Sequence, residues 1–198
     1  MFTYCSNNPI VGMDPSGKIV FFLAMCVAVV AIAIMDQKIA TMPGLNESER
    51  NAARTYPLKA NKAKLLSESA SALTDTYWGE NATKYDATLA NAFKHAVWNA
   101  FMVRDMGYDM ANMFATAHEA ESYNDNSPYE LWYNNVTITL HQATVMDLAN
   151  NERGRIVGLN IPFYYSDDQV TQVILDDMNL KPKKYSVIIW DYCNAPIK

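Results

Sequence analysis

Residues 91–100 read NAFKHAVWNA, polar side chains set into apolar, helix-forming sequence. Residues 86–106 around them read as one helix, rich in Ala, Phe, Met and Val and ended by Gly107. At about 100° per residue, Asn91, His95 and Asn99 fall on one stripe, with Trp98 beside it. Leu89, Phe93, Ala96, Val97 and Ala100 occupy roughly the opposite side, and Lys94 and Asp105 share a third direction. Solvent is therefore expected on the Lys94 side. The Asn–His–Asn stripe then faces another helix or a cleft, and buried polar groups need partners. A structural hydrogen-bond network and a functional site both meet that demand.

Working outward, two further polar clusters supply candidate partners: AHEAE at 117–121 and MDLANNERGR at 146–155. Asp147, Asn150 and Asn151 stand at i, i+3 and i+4 and share a helix face. Arg155 lies near that face if the helix continues, although Gly154 is a candidate terminator. His95, His118, Glu119 and Asp147 together can supply acid, base and metal-ligand chemistry. Zinc accepts His and carboxylate ligands, but no HExxH-type spacing is present. A divalent-metal site and a metal-free site are both compatible with these residues. In the metal-free arrangement, His95 or His118 is general base or nucleophile and Asp147 or Glu119 orients it. Asn91, Asn99, Asn151 and Arg155 are the candidate substrate-binding groups, Arg155 because a guanidinium binds an anion bidentately. His141, in the apolar context TLHQAT, reads as structural.

The remaining chain reads as mainly α. Asn46 and Glu49 form a capping box for a short helix to about Arg54. Pro57 separates it from a helix over 59–73. Residues 109–121 read as a helix with an apolar face of Met110, Met113, Phe114 and Ala117. Ser127-Pro128-Tyr129-Glu130 reads as a helix start, with helix to about Asn151, weakened by the β-branched run Val136–Thr139. Ser166 and Gln169 open a last helix to about Met178. Residues 184–192, KYSVIIWDY, read as a short C-terminal strand or extended segment.

Bulk composition narrows the function classes. The 198 residues are half apolar, with formal net charge −5 and pI about 5.1. That balance argues against nucleic acid as a partner bound through phosphate neutralisation. Three cysteines without metal spacing indicate neither a disulfide framework nor a zinc knuckle. Ile19–Met35 is an unbroken uncharged apolar run, at the short limit of the roughly 17–25 residues that span a bilayer. It reads as a membrane segment or as a helix buried in protein. A signal peptide is excluded by the turn-rich sequence before it and by the lack of a clear cleavage site.

That preceding sequence, YCSNNPIVGMDPSG at 4–17, resembles the end of the Rhs (YD-repeat) associated core through Tyr4, Asn7, Asn8, Pro9, Asp14, Pro15 and Gly17. In that family a β shell encloses a variable C-terminal tip, usually a toxin used between bacteria. The resemblance implies a tip delivered into a target cell, with the core shell and a cognate immunity protein as partners. It divides the chain into the core end (1–17), a hydrophobic helix (18–38) and a helical toxin domain (42–198). The clusters NAFKHAVWNA, AHE and MDLANNERGR resemble, in order, elements of the bacterial Wnt-like domains of the Lipocone group. This second resemblance implies a compact helical domain with a polar pocket between helices. It also implies a membrane-associated enzyme, a hydrolase or transferase acting on phosphoesters of target-cell membrane lipids or lipid-linked phosphates. His95, His118, Glu119, Asp147 and Asn151 would line that pocket. Relatives often have His where Ala149 stands; if that His is catalytic, this chain is inactive or another residue, such as His141, substitutes for it. A non-enzymatic membrane-inserting toxin is the rival reading, and a nuclease is disfavoured by the acidic composition.

Overall fold

The computed structural model describes residues 18–80, 82, 88–131 and 136–180. The core-like segment 1–17 and the expected strand at 184–192 lie outside the described residues. The described chain is mainly helical, in the order α1 (Lys18–Ala40), α2 (Glu47–Thr55), α3 (Pro57–Trp78), α4 (Leu89–Met106), α5 (Tyr108–Glu119), β1 (Pro128–Leu131), β2 (Val136–Thr139), α6 (Leu140–Gly158) and α7 (Asp167–Leu180). It forms two units, Met1–Pro43 and Gly44–Lys198.

In the first unit, α1 has no amphipathic stripe. Val27, Val29, Val30, Ile32 and Ile34 point in all directions around it and are exposed. Among the described residues no helix is long and apolar enough to cross a membrane.

The second unit is built around α4, which packs against α3, α5, α6 and α7. The helix has few exposed positions because it is apolar on most sides. Phe93, Phe101 and Met102 are fully buried, each contributing on the order of 1.5–3 kcal/mol. Thr88 caps its N-terminus through Asn91 N, and Gly107, at φ +88°, ends it. That glycine turns the chain directly into α5.

The approach of α6 to α4 depends on small residues. Gly154 lies on the backbone of Ala96, where an added Cβ would clash with the Ala96 carbonyl and come 2.7 Å from its Cα. One turn on, Gly158 sits against Ala100 and Val103. These pairings climb both helices together, so α4 and α6 run in the same sense. The sequence allowed Gly154 as a helix terminator; instead α6 continues to Gly158, and the missing side chain is what lets the backbones meet.

A second correction concerns 127–151, expected as one helix. Pro128–Leu131 and Val136–Thr139 instead pair as antiparallel strands, with Pro128 opposite Thr139 and Leu131 opposite Val136. The β-branched run Val136–Thr139 favours this pleated conformation, and Pro is tolerated as the first residue of a strand. The helix starts at Leu140, where Thr139 and Gln142 form a capping box.

Candidate functional site

Three helices bring the polar clusters together. His95 and Asn99 come from α4, Glu119 from the last residue of α5, and Asp147, Asn151 and Arg155 from successive turns of α6. All six are buried. Asn151 is the hub. Its Oδ1 lies 3.0 Å from His95 Nδ1 and 2.6 Å from Asn99 Nδ2, and its Nδ2 donates to Glu119 Oε1 at 3.3 Å. On the other edge of the imidazole, His95 Nε2 faces Asp147 Oδ1 at 3.4 Å.

The hydrogen-bond direction can be followed from one fixed end. Arg155 can only donate, and its Nη1 donates to Asn99 Oδ1 at 2.9 Å. Asn99 Nδ2 must then be the donor, to the His95 carbonyl at 3.0 Å and to Asn151 Oδ1. Asn151 Oδ1 is therefore an acceptor, so His95 Nδ1 carries a proton. Burial holds the imidazole well below its ordinary pKa, helped by Lys94 and His118 and opposed by the Asn151 hydrogen bond. A neutral His95 with its proton on Nδ1 has its lone pair on Nε2, directed at Asp147.

Arg155 is itself held from behind. Its Nε and Nη2 donate to Glu152 Oε2 at 3.0 and 2.8 Å. Tyr108 donates its hydroxyl to the same carboxylate at 2.9 Å, and the guanidinium lies over the Tyr108 ring. Both Glu152 and Tyr108 escaped the sequence reading; the i, i+3 spacing of Glu152 and Arg155 was the available signal. With these contacts made, Arg155 orients Asn99.

The other sequence candidates have distinct places. Asn91 is fully buried one turn before His95. His118 is outside the cluster: its side chain is half-exposed, its Nδ1 lies 2.7 Å from Glu49 Oε1, and its ring meets Trp98 edge-on. Asn46 donates to the carbonyls of Ala117 and His118 while capping α2. His118 thus belongs to a lock that joins the start of α2 to the end of α5. The Glu49 hydrogen bond raises its pKa above the ordinary value, against the effect of burial. His141 contacts the Tyr123 carbonyl and ring at the strand pair.

A family model described as a domain of unknown function (DUF6973) matches residues 50–181. This chain belongs to the DUF6973 family. The matched range runs from within α2 to the end of α7 and contains all six clustered residues. No curated protein matches the chain, and no solved structure does. Within this DUF6973 domain a groove of about 380 Å³ is lined by Ile156, Val157, Ile161, Tyr165 and Val173. It follows the face of α6 opposite to Asp147, Asn151 and Arg155. Arg153 and Asp177 pair at its edge, at 2.5 and 2.7 Å, so the groove and the polar cluster are separate features.

One ligand-type atom from each of His95, Glu119 and Asp147 lies within 4.8 Å of the others. The Nε2 lone pair faces Asp147, while Glu119 Oε1 lies 3.7 Å from Nδ1 on the other edge of the ring; such a set can take a proton from a nucleophile or help hold a cation that acidifies one.

Proposed function

We propose that the DUF6973 domain of this chain is the toxic tip of an Rhs-type protein. It acts as a hydrolase or transferase at a phosphoester of membrane lipid head groups or lipid-linked phosphates. The observation that carries this reading is the buried His95 imidazole, with its Nε2 lone pair directed at Asp147 and Glu119 close by. In the proposed reaction a water or acceptor hydroxyl bonds to phosphorus and gives its proton to the site. The bond from phosphorus to the leaving oxygen breaks, and that oxygen takes up a proton. Both ways of activating the attacking oxygen use His95 Nε2. Asn99, Asn151 and Arg155 act one layer back, fixing which imidazole nitrogen is available.

A membrane setting is supported by the all-round apolar surface of α1 and by the exposed aromatics Phe163 and Tyr164 between α6 and α7. Aromatic side chains of this kind favour the lipid–water interface. The Rhs-like residues before α1 support delivery into a target cell, with an immunity protein protecting the producer.

The same α1 surface favours one rival, a toxin that acts by inserting into the membrane. Growth of a bacterial host expressing the chain, wild type beside His95→Ala, separates the two. Total lipids and membrane potential are followed at the onset of arrest, and circular dichroism confirms the variant's fold. The enzyme reading expects the variant to be harmless and the wild type to change a phospholipid or a lipid-linked precursor. A folded variant that still kills, with depolarisation and unchanged lipids, would overturn it.

A further inference from the structure

We infer that His95 Nε2, Glu119 and Asp147 form a binding site for a divalent transition cation of the Mn²⁺–Zn²⁺ kind. The inference concerns the side-chain cluster described above but not its substrate, so it stands or falls on cation binding measured without lipid.

Three geometric observations point the same way. First, the three side chains come from three different helices yet converge, with one ligand-type atom of each within 4.8 Å of the others. Second, bonds of about 2.1 Å to a tetrahedral ion place neighbouring ligand atoms about 3.4 Å apart; His95 Nε2 and Asp147 Oδ1 are separated by 3.4 Å. Third, the surrounding hydrogen bonds already have the polarity such a site needs. A ligating histidine donates its other ring N–H to an acceptor, which fixes its tautomer. Here Nδ1 donates to Asn151 Oδ1, and Asn151 Nδ2 donates to Glu119 Oε1. A single amide thus orients two of the three ligands, and the Arg155–Asn99 contact fixes the orientation of that amide.

The donor set determines the class of ion. One imidazole with two carboxylates suits a first-row divalent cation better than Ca²⁺, which takes six to eight oxygens. Three protein ligands leave a coordination position for water or a substrate oxygen. Because the ligands span α4, α5 and α6, an ion would also cross-link the helices at the centre of the domain.

The test is titration of the full chain, stripped with chelator, with Mn²⁺ and Zn²⁺ separately by calorimetry. One ion per chain is expected, with Tm rising by about 5–10 °C at a hundredfold excess over Kd. Asp147→Asn and Glu119→Gln keep side-chain shape and should each abolish the bound ion while circular dichroism stays unchanged. His141→Gln, at the strand pair, should bind like wild type. Nitrogen NMR of the wild-type histidines supplies a readout independent of any variant. Zn²⁺ should shift His95 Nε2 while Nδ1 keeps its proton. No binding of either ion, binding undiminished in both carboxylate variants, or a His95 proton found on Nε2 would each overturn the inference. An ion bound without any lipid change in cells would retain this site and remove the lipid reading.

Discussion

At the residue scale, the two neighbouring histidines oppose each other in their effect on stability. Burial lowers the pKa of His95, with Lys94 and His118 adding to it and the Asn151 hydrogen bond opposing it, while Glu119 and Asp147 face the ring. The unfolded chain therefore binds a proton more readily than the folded one as pH falls below about 6.5. Stability rises with pH across that window. His118 has the reverse sign. Its pKa is raised by Glu49, so its contribution is full below about 6.5 and is lost as pH rises through the folded value. Stability is expected to be greatest near pH 6.5, with an acid limb from His95 and an alkaline limb from His118. Urea unfolding across pH should show His118→Gln flattening the alkaline limb and keeping the acid one. The half-exposed pair should also weaken with salt. An alkaline limb that survives in His118→Gln would rule out this assignment. The stripe holding His95 and Asn99 was legible because i, i+4 spacing is a local property. The Glu49–His118 and Tyr108–Glu152 partnerships were not, since they join residues 69 and 44 positions apart.

At the element scale, the site exists because α4 and α6 touch backbone to backbone. Gly154→Ala would drive a methyl group into the Ala96 main chain, which cannot rotate away. Overpacking commonly costs about 1–3 kcal/mol, and a backbone obstacle places this variant at about 3 kcal/mol. Gly158→Ala meets the Val103 side chain at 2.9 Å and Ala100 Cα at 3.0 Å, so it should cost less. Denaturant midpoints should fall in the order wild type, Gly158→Ala, Gly154→Ala. The first glycine variant should also perturb the His95 ring resonances, because parting the helices lengthens the Asn151 contact. Equal midpoints for the two variants would mean that the close approach is not specified at Gly154. Sequence could not distinguish a terminating glycine from a contact glycine, since the difference lies in the helix opposite. The strand pair was missed for a related reason. Ser127-Pro128-Tyr129-Glu130 satisfies the local chemistry of a helix start, but cross-strand pairing to Val136–Thr139 decides the conformation. The capping boxes at Asn46 and Ser166 were legible because all their parts lie within four residues.

At the scale of the whole molecule, the polar cluster and the most apolar helix belong to different units. The polar cluster and its supporting helices lie in Gly44–Lys198, while α1 lies in Met1–Pro43. The second unit has its own core around Phe93, Phe101, Met146 and Ile174, sufficient for independent folding at this size. A chain starting at Gly44 should therefore unfold cooperatively with nearly the full-length Tm. It should also retain the His95–Asn151 contact, read from the same ring resonances. Vesicles containing anionic phospholipid should distinguish the two chains. Full-length protein should sediment with them through α1, whereas the shortened chain should stay largely in the supernatant. If soluble short-chain phosphoester substrates are turned over equally by both, α1 supplies location and the helical unit supplies chemistry. A shortened chain that unfolds without cooperativity would show that residues before Gly44 complete the fold. Undiminished sedimentation would instead move the membrane contact to the helical unit, with Phe163 and Tyr164 as the exposed residues to replace next.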